Sequence, residues 1–236
     1  MTPLEIAGTA EGGVSGVVVR SAGGAERRID CDAVALGYHL RPETQLADLA
    51  RCEFRFQPAT HQGLPVADGD GRTGVAGVYL AGDGARLLGA DGAEDAGRLA
   101  ALAVLADAGH AVDRERMARL RQSLARMDRF REGLAEAFPW PARLAAALSD
   151  DTVVCRCEAI TAGELRDVAR RMGAAEVNRA KAFSRIGMGR CQGRYCGHAA
   201  AEVVAAAAAV PVEAVGRLRG QAPVKPLPVA VEAVGP

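Results

Sequence analysis

The chain has no surplus of charge: 29 basic residues face 29 acidic ones over 236 residues. That balance excludes a general nucleic-acid surface, which needs a basic field to meet phosphates. No hydrophobic run is long enough to cross a bilayer, because the most apolar stretches, AAAEVVAAAAAVPV and AGRLAALAVLADAG, are short and alanine-rich. The opening residues, MTPLEIAG, offer neither the basic segment nor the apolar core of a secretory signal. A reducing, cytoplasmic setting is therefore expected. Lysine is nearly absent beside abundant arginine, so an isolated arginine carries less information than usual. There is no internal repeat.

Cysteine is also scarce, yet four of the six are arranged. Cys155 and Cys157 in VVCRCE and Cys191 and Cys196 in GRCQGRYCGH form two pairs, thirty-three residues apart. In a reducing compartment such clusters are metal ligands or redox groups rather than bridges. Two short loops, each supplying two thiolates, can close a sulfur environment that selects zinc or iron–sulfur. Cys31 and Cys52 stand alone and read as small packing residues. Between Asn178 and His198 lie five basic residues (Arg179, Lys181, Arg185, Arg190, Arg194) and no acidic one. Cations beside an anionic cluster raise its potential, although such a run is also what a solvated arginine-rich face looks like.

Three textures follow one another. Up to about His110, short β-type runs (GVVVR, DAVALG, GVYLAGD) alternate with Gly- and Asp-rich turns and end in a helix over roughly Asp91 to Ala108, which reads as α/β. Met117, Leu120, Leu124, Met127, Phe130, Leu134 and Phe138 then recur at helical spacing, a stripe that predicts core or interface and stops at Pro139–Pro141. After the polar joint LSDDT, Thr161 and Glu164 have the spacing of a capping box, predicting a helix to about Met172 with the first cysteine pair just before it. Cys196 precedes GHAAAEVVAAAAA, where a helix start favours a thiolate. From Pro211, with further prolines at 223, 226 and 228, the chain reads as an extended tail.

CRCE, a capped helix and GMGRCQGRYC together resemble the bacterioferritin-associated ferredoxin-like domain, a small helical module that binds a [2Fe-2S] cluster with four cysteines. The resemblance covers about Asp151 to Ala206 and implies that Cys155, Cys157, Cys191 and Cys196 are the ligands. The four-residue gap in the second pair departs from the stand-alone ferredoxin. It is similar to the copy fused to flavoprotein subunits such as those of hydrogen cyanide synthase, opine oxidase and dye-linked proline dehydrogenase.

GVYLAGDGARLLGADGAEDAGRLAALAVL carries a second resemblance, to the C-terminal FAD motif of two-dinucleotide-binding flavoproteins of the pyridine nucleotide-disulfide oxidoreductase kind. It implies that Gly82 and Asp83 face the ribityl chain and that the helix start at Gly92 and Ala93 faces the flavin. Asp32 to Leu46 looks like the strand and glycine turn by which those proteins re-enter the FAD domain. The pattern G-x-G-x-x-G occurs at Gly69, Gly71 and Gly74, but it leads toward a strand-like run, so it predicts a hairpin-like loop and no phosphate cradle.

The expected architecture is thus an α/β N-terminal part, the rear portion of a two-dinucleotide-binding flavoprotein without its first Rossmann unit, followed by a small helical [2Fe-2S]-binding domain. Its expected divisions are 1–112, an incomplete FAD/NAD(P)-binding domain; 113–150, amphipathic helix and linker; 151–206, the cluster domain; and 207–236, a Pro-rich tail. The expected role is an FAD-dependent oxidoreductase subunit relaying electrons from oxidation of an amino acid, opine or similar amine. FAD would bind only with a flavoprotein partner subunit or N-terminal segment supplying the missing Rossmann unit. A non-enzymatic iron–sulfur adaptor and a structural zinc module are the alternatives. No residue stands out as catalytic: His39, His61, His110 and His198 are scattered and read as surface or packing residues.

Overall fold

The computed structural model describes residues 1–35, 37 and 40–224, so His39 and the prolines at 226 and 228 lie outside the described residues. Met1–Leu40 and Arg41–Pro236 are separate compact units. The first is a three-stranded antiparallel meander, β1 (Thr2–Thr9), β2 (Gly13–Arg20) and β3 (Glu26–Asp30). The valine-rich GVVVR run supplies its central strand, as β-branched residues favour.

The second unit holds α1 (Gln45–Leu49), the hairpin β4 (Phe54–Gln57) and β5 (Gln62–Pro65), α2 (Gly89–Asp107), α3 (Arg114–Ala137) and α4 (Ala142–Ala146). It continues through the short pair β6 (Val153–Cys155) and β7 (Ile160–Thr161) into α5 (Ala162–Arg171), α6 (Val177–Ser184), α7 (Gly197–Ala208) and α8 (Val212–Val215). Mixed α/β texture is present, but the described sheets are small and antiparallel. GVYLAGD is not a strand: Tyr79 makes an isolated bridge to Arg72, and Ala67 another to Thr73. Gly77 has φ 76° just before the apolar triplet, and Gly82–Gly84 forms a 3-10 turn just after it, leaving no room for a ladder.

α2 and α3 pack through Leu99, Met117, Leu120 and Leu124. α3 begins at the Asp113 side chain, which accepts from the Arg116 N–H. Only the front of its apolar stripe is core; Phe130, Leu134 and Phe138 are exposed. The C-terminal core is separate, with Leu165, Ala169, Val177, Ala180, Ile186, Val203, Val204 and Val215 gathering between α5, α6, α7 and α8. The predicted capping box is present: Thr161 Oγ1 accepts from the Glu164 N–H at 3.2 Å, and Glu164 accepts from the Thr161 N–H at 2.7 Å.

The region read as an extended tail departs from that expectation as far as Val224. It forms α8, buries Val215, and returns along the domain because apolar side chains there find a vacant glycine surface. Leu218 Cδ1 lies 2.5 and 2.7 Å from where a Cβ on Gly187 or Gly193 would stand. Arg217 pairs with Asp48 at 2.7 Å, and the Gly220 N–H donates to the same carboxylate at 2.6 Å. Those contacts hold Asp48 below the usual carboxylate range against the opposing effect of burial.

Candidate metal centre

The four predicted ligands come from two turns that the C-terminal core fixes. Cys155 ends β6, and the chain turns through Arg156–Ala159, where Ala159 takes φ 56°. Cys191 and Cys196 flank a four-residue loop with left-handed residues at Gln192 (φ 52°) and Gly193 (φ 79°), and Cys196 is the N-cap residue of α7. The turns touch closely: a Cβ on Gly189 would stand 2.2 Å from the Cys157 Cβ. Only glycine allows that approach.

Across the two turns Cys155 is the thiol that acts on Cys196 and Cys157 the one that acts on Cys191, and Cys191 also acts electrostatically on Cys196. A two-iron cluster asks for two thiolates at each iron, and the pairing offers that donor set. Cys155 and Cys196 are buried, at 1% and 2% exposure, whereas Cys157 faces solvent.

The two ends of the second loop treat their thiols oppositely. Burial alone pushes Cys191 up, but the backbone N–H groups of Tyr195, Gly193 and Arg194 and the Cys157 thiol donate to it, and the net shift is down. Such a ring of N–H donors is the surrounding a sulfur-bound cluster uses to tune its potential. Burial, then the adjacent Cys155 thiol, push Cys196 up to about 12. The helix start was expected to favour a thiolate there, and burial outweighs it; ligation, which releases the proton, replaces the lost hydration.

The basic residues divide. Arg185 pairs with Glu158 at 2.9 Å, Arg179 lies over the Phe183 ring at 5.4 Å, and Lys181 is buried. Arg194 is bound into the loop, pairing with Glu43 and donating to the Cys191 carbonyl at 3.2 Å. The segment expected to re-enter an FAD domain instead clamps this loop. Asp32–Ala35 forms no strand, Arg41 Nη1 donates to the Arg194 carbonyl at 3.0 Å, and Gln45 Nε2 donates to the Gln192 carbonyl at 2.8 Å. Leu36, Tyr38 and His39 of that segment lie outside the described residues.

The residues assigned to flavin lie together elsewhere in the unit. Gly82 (φ 58°) packs against the start of α2, where its Cβ would stand 3.2 Å from that of Ala93. Gly92 is buried, and Asp83 is exposed. Gly82 and Gly92 line a cavity of about 420 Å³.

Two histidines that the sequence left scattered converge. His61 Nδ1 lies 3.0 Å from Glu202 Oε1, the Trp140 indole N–H donates to the same oxygen at 2.8 Å, and His198 stacks on Trp140 at 4.5 Å. His198 Nε2 meets the His61 carbonyl oxygen. These partners are 62 to 141 residues apart, and no short motif signals them.

Residues 153–206 match the BFD-like [2Fe-2S] binding domain family. That segment contains all four cysteines. The chain as a whole is similar to an opine oxidase subunit from Agrobacterium tumefaciens (strain Ach5), 40% identical over 212 residues, covering 88% of this chain and 42% of that protein. It is also similar to hydrogen cyanide synthase subunit HcnB of Pseudomonas aeruginosa, at 32% identity, covering 86% of this chain and 43% of that protein. The chain thus spans less than half the length of these relatives. The crystal structure of L-proline dehydrogenase from P. horikoshii shares its fold, with a TM-score of 0.65 over 96% of this chain and 43% of that one, at 18% identity.

Proposed function

We propose that this chain is an oxidoreductase subunit that holds a [2Fe-2S] cluster on Cys155, Cys157, Cys191 and Cys196 and relays electrons from oxidation of an amino acid, opine or similar amine at a neighbouring flavoprotein. The pairing of four thiols across two loops, inside the BFD-like segment, carries this reading. The bound cluster supplies one-electron redox chemistry. The protein's part is to fix the loops through α7, Leu218 and the Arg41–Gln45 clamp, to donate backbone N–H groups toward Cys191, and to keep the Cys155 side dry. After anaerobic purification and dithionite reduction, one unpaired electron per chain should appear by electron paramagnetic resonance. A silent sample containing zinc would contradict the relay.

The flavin assignment is narrower. Gly82, Asp83, Gly92 and Ala93 would hold the ribityl and ring portions of FAD, while the pyrophosphate, which carries the charge, needs a glycine-rich cradle at a helix start from a partner. FAD titrated into the isolated chain is therefore expected to bind weakly or not at all. Stoichiometric binding should require the partner protein and be weakened by Asp83→Ala. Tight binding by the chain alone, unchanged in Asp83→Ala, would place the flavin elsewhere.

A further inference from the structure

Behind the Cys191 loop lies a cavity of about 460 Å³, lined in part by Gln192–Tyr195 and by Gly197, His198 and Ala201 of α7. Whatever binds there rests against the backbone that carries two of the four thiols. The volume suits a small ring compound with room for water.

His61 enters this cavity from the β4–β5 turn with a left-handed backbone, φ 51°. Strained non-glycine residues of this kind concentrate at functional sites. Behind it, Glu202 is 7% exposed at its side chain and receives the indole N–H of Trp140. An indole nitrogen can only donate and a carboxylate can only accept, so His61 Nδ1 donates to the same oxygen. Nε2 makes no hydrogen bond among the described residues. The side chain is 34% exposed, enough to exchange protons with water. A carboxylate-oriented imidazole on the wall of a cavity is placed as a proton-transfer device.

Two more features describe what would be bound. Phe54, carrying the Arg217 guanidinium 3.4 Å above its ring, and Phe56, edge-on to His61 at 5.9 Å, give flat aromatic walls. Gln45 also lines the cavity, its side-chain amide held to the Gln192 carbonyl of the ligand loop at 2.8 Å. A planar carbonyl compound that takes up protons on reduction suits the aromatic walls and the imidazole together.

We propose that this cavity binds a quinone headgroup and that His61 is the residue that protonates it. The inference rests on the cluster reading given above. A quinone becomes a quinol by gaining two electrons and two protons. The two electrons would come one at a time through the cluster held on the four cysteines, which the neighbouring flavoprotein of the proposed function would reduce again between them. Each proton passes from His61 Nε2–H to a quinone oxygen and is replaced from water. The charged and titratable groups that line the cavity or contact His61 are Glu202 and His198 from α7, Arg194 and Tyr195 from the loop before it, Arg55 from β4, Glu213 from α8, Arg217 beyond it, and Arg41 and Glu43.

The test uses the whole chain, with iron content measured first, and 2,3-dimethoxy-5-methyl-1,4-benzoquinone as the probe. Calorimetry on cluster-free protein should show the quinone binding. In stopped flow, its oxidation of the dithionite-reduced protein should slow by about 100-fold in His61→Ala and in His61→Asn, the size of a lost general acid. Asparagine tolerates the left-handed backbone, so that variant separates loss of the proton from loss of the turn. The pH dependence of the quinone reaction should flatten, while oxidation by hexacyanoferrate(III), which takes no proton, stays at the wild-type rate. Quinone that fails to bind, or variants that slow both oxidants alike or neither, would overturn the proposal. Iron-free preparations would instead defeat the cluster reading and leave the binding measurement standing.

Discussion

Gly189→Ala should empty the metal centre while leaving all four cysteines in place. The new methyl would stand 2.2 Å from the Cys157 Cβ; the Glu158 carboxylate at 3.2 Å could swing aside, but the Cys157 Cβ is fixed to its backbone and could not. Relieving the clash means parting the two loops, which separates Cys157 from Cys191. Overpacking of this kind costs about 1–3 kcal/mol, modest for a core that also contains Leu165, Ile186 and Val203. The variant is expected to fold, with helical circular dichroism near that of the wild type, but to keep less than about a tenth of the cluster, since even a displaced supporting group costs ~10–100-fold in metal affinity. Iron bound at wild-type stoichiometry would show that the two loops do not share a cluster.

Serine substitutions of the cysteines should split into two classes that only the structure distinguishes. Cys155→Ser and Cys157→Ser are both expected to abolish visible absorption. Cys157 faces solvent, so its replacement should change unfolding free energy by no more than about 0.5 kcal/mol. Cys155 is 1% exposed within the core, so a hydroxyl there loses about 1–3 kcal/mol unless it finds a partner. Chemical denaturation of the cluster-free variants measures the difference. Equal stabilities would mean that the buried pair is not packed as described.

What the sequence made legible was local. The Thr161–Glu164 box, the Asp91–Ala108 helix and the placement of Cys196 at a helix start all follow from short-range chemistry, and they appear within a residue or two of where the pattern put them. The stripe from Met117 to Phe138 named a face but could not say what covers it, and Phe130, Leu134 and Phe138 turn out exposed. The triplet Val78–Leu80 looked like a strand because three apolar residues resemble one, although a strand exists only where a partner backbone can pair. The direction of the Cys196 shift was misread for a related reason: a helix start is visible in sequence, whereas burial depends on residues far along the chain. The His61–Glu202–Trp140 arrangement was invisible because its members come from a hairpin turn, a late helix and a proline-flanked tryptophan.

The most direct check on the account is elemental. Protein purified without oxygen should contain two irons and two acid-labile sulfides per chain, as a [2Fe-2S] cluster requires, with no stoichiometric zinc. One zinc per chain with no iron and no sulfide would contradict it, leaving the paired cysteines as a structural metal site and the chain without a means of carrying electrons.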